Sequence, residues 1–275
     1  MSNPVLLIAV QEFTLNRRNK WVTAFAGIFA LLTFFIAYFG MVTSGYSGFQ
    51  DFVRTSTSLI SLTGFIMPLF ALLLGVFSFI SNKEYLEMLV AQPVSRQQVV
   101  LGKFLGLLLT LLGATAIGFS VPGIIISLSI GVVGALSYAL FLAYAMILGI
   151  IFSGCAVLIS QIAGRQQVAL GAAIGVWLFF EVVYGVLVLA TTLYFSPAVL
   201  KVLLIALLAG NPVDLFRVLS LLAAGGAEFF GPAGATLIKL VGSEAWAVAA
   251  GLAGLIAWAV VPLLVSLKLF SRQNL

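Results

Sequence analysis

Apolar residues run along this chain in long blocks separated by short polar stretches. A helix rises about 1.5 Å per residue and needs about 20 apolar residues to cross hydrocarbon. Blocks of that length fall at about 21–41, 58–80, 104–127, 136–159, 168–194 and 244–267. The pattern predicts an all-α membrane protein with six transmembrane helices in a single domain. From Phe104 to Gly164 there is no charged residue. That length is too great for one span and fits two, joined near Gly131–Gly134. Pro68 and Pro122 fall inside predicted spans, where proline removes a backbone donor and favours a bend.

The polar stretches carry the remaining organisation. Residues 3–18 read as an amphipathic helix lying in the membrane interface, with Asn3 as its cap and Pro4 in its first turn. Val5, Leu6, Ala9, Val10 and Phe13 make its apolar face; Gln11, Glu12, Asn16, Arg17 and Arg18 make the polar one. Between spans two and three lies Asn82-Lys83-Glu84-Tyr85-Leu86-Glu87-Met88-Leu89-Val90-Ala91-Gln92-Pro93-Val94-Ser95-Arg96-Gln97. Leu86, Leu89 and Val90 share one side of a short helix, with Lys83, Glu84 and Glu87 on the other. Pro93 ends that helix, and Ser95 is placed to cap the next. A smaller polar loop follows at 161–167, with Arg165. The longest non-spanning region is 196–242; its apolar runs 199–209 and 215–224 are too short to cross and predict short helices at the outer surface.

Charge sets the orientation. With the N-terminus in the cytosol, the inner pieces hold Arg17, Arg18, Lys20, Lys83, Arg96, Lys103, Arg165, Lys268 and Arg272. The outer pieces hold Arg54, Lys201, Arg217 and Lys239. Nine against four places both termini in the cytosol.

Composition excludes several functions. The 275 residues are 63% hydrophobic and 8% charged, against roughly 25% charged in a soluble domain. The net charge of +5 therefore reads as topology and not as a nucleic-acid surface. There is no histidine, which argues against zinc, haem and serine-hydrolase chemistry. No G-x-x-x-x-G-K-[ST] loop is present to bind ATP. Cys155 and the five methionines do not cluster at ligand spacing, so neither a metal site nor a path for bare copper ions is expected.

Glu181 lies near the middle of span five, where an acid costs at least about 2.5 kcal/mol to insert and faces protein or water. It reads as a lining residue of a translocation path, as a polar lock between two copies, or as an acid bonded to a neighbouring span without a role in transport. Gly171 and Gly175 form a G-x-x-x-G pair suited to close helix approach, across a dimer or within one copy. Asn211, Asp214 and Arg217 offer contacts for an outer partner, unless Asp214 caps the helix that follows.

The segment from Tyr85 to Leu105 resembles the ABC-2 type permease pattern, through Leu86-Glu87, Pro93-Val94-Ser95-Arg96 and Leu101-Gly102-Lys103. Glu84-Tyr85 stands where that family usually has Gly-Thr. Asn211-Pro212-Val213-Asp214-Leu215-Phe216-Arg217 and Asn3-Pro4…Glu12…Arg17-Arg18-Asn19-Lys20-Trp21 resemble the Nos-type branch, the membrane subunit of an ABC complex that matures the copper sites of nitrous-oxide reductase. The resemblance implies a homodimeric permease in a bacterial or archaeal cytoplasmic membrane, with two copies of a separate ATPase. ATP and magnesium would sit on that ATPase, and this chain would bind no cofactor. The loop 82–97 would be the coupling helix, with Lys83, Glu84, Tyr85, Glu87, Met88, Gln92, Pro93 and Arg96 as contacts and Arg165 as a smaller one. A periplasmic accessory protein would dock on 196–242. The alternatives are an ABC-2 exporter of another substrate, of drug, lipid or polysaccharide type, and a non-transporting membrane anchor.

Overall fold

The computed structural model describes residues 3–42, 49–80, 94–225 and 243–272, and among them there is no strand. Helix α1 covers Pro4–Arg17, and the Asn3 side chain accepts from the Val5 N–H at 3.1 Å. Pro4 takes the first turn, where no backbone donor is needed. Helices α2 (Lys20–Val42) and α3 (Phe49–Ile80) follow. Helix α4 (Arg96–Ile130) opens on a reciprocal cap. Ser95 Oγ accepts from the Gln98 N–H at 3.3 Å, and Gln98 Oε1 accepts from the Ser95 N–H at 2.9 Å. Gly131, at φ +76°, turns the chain into α5 (Val132–Ala163), which ends on Gly164 at φ +63°. Both turns use a left-handed backbone that glycine adopts without steric cost.

The fifth span is α6 (Gln166–Leu178), a π turn (Phe179–Val183) and α7 (Tyr184–Tyr194). Two short helices come next, α8 (Pro197–Gly210) and α9 (Pro212–Ala223), and the described chain closes with α10 (Glu244–Arg272). Among the described residues, six helical runs are long and apolar enough to cross a membrane. Pro68, Pro122 and Pro262 all sit inside continuous helices.

Helices α3, α4 and α5 form the centre. Met67, Leu72, Leu107, Leu111, Leu148 and Phe152 are fully buried where they meet. In the most apolar 18 residues of each span, 67% are buried in the second, against 6% in the fifth and 17% in the sixth. The fifth span is thus an outlying helix with an open apolar face.

Three placements differ from the sequence expectation. Helix α1 is divided across the two expected faces: Ile8 and Ala9 are buried together with the polar Glu12 and Asn16, while Leu6, Leu7 and Val10 are exposed. The buried side lies against α4 and the exposed apolar side is left for lipid. Helix α4 begins at Arg96, as the cap at Ser95 predicted, but the third span reaches back to that residue and does not start at 104. Lys103 made the earlier turns look extramembranous, yet it is fully buried and paired with Glu12. The two short helices expected between 196 and 242 are present, but they do not lie flat on one end of the bundle. They meet at 105° and form a hairpin that dips between the spans. Trp258, midway along α10, donates its indole N–H to the Ala209 carbonyl at 2.9 Å. Tyr184 donates its hydroxyl to Leu207 O at 2.6 Å. The hairpin turn therefore sits at mid-span level.

Candidate functional site at the turn of the re-entrant hairpin

Asn211 organises the turn. Its Oδ1 accepts from the Val213 N–H at 3.0 Å and so caps α9. Its Nδ2 donates to the Phe180 carbonyl at 3.0 Å and to Asp214 Oδ2 at 2.8 Å. The cap that Asp214 could have supplied belongs to Asn211 instead, because a polar residue one step before Pro212 reaches the second backbone amide of the helix. Asn211 is only 1% exposed, which turns it inward and away from the outer surface where the sequence suggested a partner contact.

Arg217, one turn after Asp214, carries the positive charge of the group. Its Nη1 donates to Asp214 Oδ1 at 3.4 Å, and its Nη2 donates to Glu181 Oε1. The guanidinium fork thus holds two acids from different elements. The Glu181 side chain is 6% exposed, against 28% for Asp214 and 31% for Arg217. Of the readings open for Glu181, the structure shows an acid bonded to a neighbouring element. The sequence left it looking solitary; its partner is 36 positions further on, brought in by the hairpin.

The π turn makes that meeting geometrically natural. Five residues, Phe179–Val183, are wound with one extra residue, as a π bulge does. The turn presents the Phe180 carbonyl to Asn211 and Glu181 to Arg217. Aromatic packing surrounds it: Phe180 meets Phe152 and Trp258 edge-on at 5.9 and 5.5 Å. Chemically this is an ionic cross-link between the fifth span and α9, with two carboxylates and one guanidinium. Glu181 Oε2 is buried and has no hydrogen-bond partner among the described residues.

The other predicted residues are placed elsewhere. Gly171 and Gly175 are exposed on α6, and a Cβ added at either meets nothing within 4 Å. Arg165 is exposed beside the αL turn at Gly164, and Arg96 is half-buried at the start of α4. Lys83, Glu84, Tyr85, Glu87, Met88, Gln92 and Pro93 lie outside the described residues.

Six helices long and apolar enough to cross a membrane among the described residues, with the bent pair α8 and α9 packed against them, define a multi-pass membrane protein. Residues 6–275 match the family described as ABC-2 family transporter protein, and the chain belongs to that family. It is 36% identical over 237 residues to the probable ABC transporter permease protein NosY of Pseudomonas aeruginosa, a match covering 81% of this chain and 85% of the relative. It is 34% identical over 282 residues to the protein of the same description from Stutzerimonas stutzeri, covering 98% of this chain and 99% of that one.

Proposed function

We propose that this chain is the membrane subunit of an ABC transporter and is driven by a separate ATPase that grips the segment between α3 and α4. One observation carries the reading most directly. The segment 81–93 joins the two ends of α3 and α4, and the most apolar 18 residues of these helices are 67% and 50% buried in the bundle. A push on that segment is therefore delivered to two of the three helices that form the packed centre, and packed helices of this kind shift as rigid bodies. Glu84, Glu87 and Arg96 are the charges proposed to meet the ATPase, with Arg165 at a smaller contact. Rim charges of that kind set partner choice more than affinity.

The ATPase lies in the cytosol in this reading, with both chain termini on the same side. The charge count still supports that orientation after revision. Lys103 and Arg217 are neutralised inside the fold, leaving eight inner cations against three outer ones. The open face of α6, with Gly171 and Gly175, is proposed to meet a second copy, since small residues let two helices approach closely. The resemblance of the 211–217 and N-terminal motifs to the Nos-type branch is the ground for proposing service to the copper-site assembly of nitrous-oxide reductase, in a bacterial or archaeal inner membrane. The outer end of the bundle would then face a periplasmic accessory protein. Without histidine the chain suits relaying force better than passing bare copper ions.

The test is charge reversal. Glu84→Lys/Glu87→Lys is expected to abolish ATP-driven work by the complex while membrane insertion is retained. Full coupled activity in that variant would contradict the proposal and favour a non-transporting anchor.

A further inference from the structure

A second buried ion pair lies far from the hairpin, at the end of the bundle where α1 rests. Lys103 Nζ donates to Glu12 Oε2 at 3.0 Å, and Ser78 Oγ donates to Glu12 Oε1 at 2.6 Å. Lys103 is fully buried and Glu12 is 1% exposed. Both oxygens of a single carboxylate are thus engaged, one by α3 and one by α4. Ser78 stands in the last turn of α3, and Lys103 in the first turns of α4. These two positions bracket the segment 81–93.

The close approach of α1 is built into α4. A Cβ added at Gly102 would lie 2.7 Å from Ile8 Cβ, and one added at Gly106 would lie 2.6 Å from the Ala9 carbonyl oxygen and from Glu12 Cβ. Glycine at these two positions, one turn apart and flanking Lys103, lets the α1 backbone lie directly on α4. The Lys103 ammonium also sits 5.4 Å from the centre of the Phe79 ring, which adds a second tie back to α3. An α1 held only by lipid would need no buried charge.

We propose that Glu12 is a positioning residue: by holding Ser78 and Lys103 at once, it joins both roots of the segment 81–93 to α1, so that the three move as one body. Helix α1 is then the lever that spreads a displacement of that segment into the membrane plane, its exposed Leu6, Leu7 and Val10 travelling with it. This role rests on the reading that an ATPase drives the segment.

The test uses the full complex with its ATPase in nanodiscs, in a Cys155→Ala background with Leu193→Cys as reporter at the far end of the fifth span. Labelling of that cysteine by a membrane-impermeant maleimide is followed with and without ATP. Removing both charges together, as Glu12→Met/Lys103→Met, avoids stranding one charge in the core and preserves folding. The double variant is expected to assemble and hydrolyse ATP, while the nucleotide-dependent change in labelling falls about fivefold or more. Lys103→Arg, which keeps the pair, is expected to retain the response. A merely structural role would lower the melting temperature and leave the response of the assembled complex intact. An unchanged response in Glu12→Met/Lys103→Met overturns the tie. A parent complex (Cys155→Ala, Leu193→Cys) with no nucleotide response overturns the coupling reading, and the role of Glu12 with it.

Discussion

Arg217 is the residue on which the mid-span network depends. It is the cation facing Glu181 and Asp214, and the 6% exposure of Glu181 leaves little water to replace it. Breaking a buried pair by removing one partner costs about 3–5 kcal/mol. The 31% exposure of Arg217 places the expected cost of Arg217→Met near the lower end, at about 3 kcal/mol. Thermal unfolding in detergent checks the figure. Glu181→Gln/Arg217→Met is expected to recover part of the lost stability, because the more buried acid is no longer charged and Asp214, 28% exposed, keeps its bond from Asn211. Additive losses from the two substitutions would show that the residues do not act as a pair. Asn211 makes a different contribution. Asn211→Ala removes the α9 cap and is expected to cost about 1 kcal/mol from that bond alone. The loss of its bond to the Phe180 carbonyl adds to this.

Among the elements, α1 and the hairpin show where reading from sequence stops. The six spans were legible because twenty consecutive apolar residues have few other homes. The caps at Asn3 and Ser95 were legible because they depend on neighbours two or three positions away. The inward face of α1 was not. Apolar residues on an interfacial helix favour lipid as readily as protein, so hydrophobicity alone does not say which face is buried in the fold. The deciding signal was on another helix: glycines 102 and 106 flanking a single lysine in an apolar run. The descent of α8 and α9 was hidden for a related reason, since runs 199–209 and 215–224 are too short to cross and look alike whether they lie on the surface or dip inward. Their depth is set by Tyr184, Trp258 and Glu181. The close approach of α1 makes its own prediction. Gly106→Leu places atoms where the Ala9 carbonyl and Glu12 already stand, and is expected to lift α1 away. A cysteine at Ala9, which is 2% exposed, should then react with maleimide much faster in the Gly106→Leu chain. Equal reactivity with and without the leucine would contradict the packing.

For the molecule as a whole, the distribution of burial indicates how it is assembled. The second, third and fourth spans form a packed centre, while of the 29 residues of the fifth only Ala169, Ala173 and Tyr184 are buried within one copy. Gly171→Cys in a Cys155→Ala background is expected to cross-link two copies on oxidation in membranes, and failure to do so would move the dimer face elsewhere. The central claim is that an ATPase holds the segment 81–93, and contact is its most direct measure. A photo-cross-linking amino acid at Tyr85 or Met88, in the complex isolated with its ATPase, is expected to yield one dominant adduct with the ATPase subunit. An adduct confined to this chain and lipid, obtained from a complex that still performs ATP-driven work, would contradict the account.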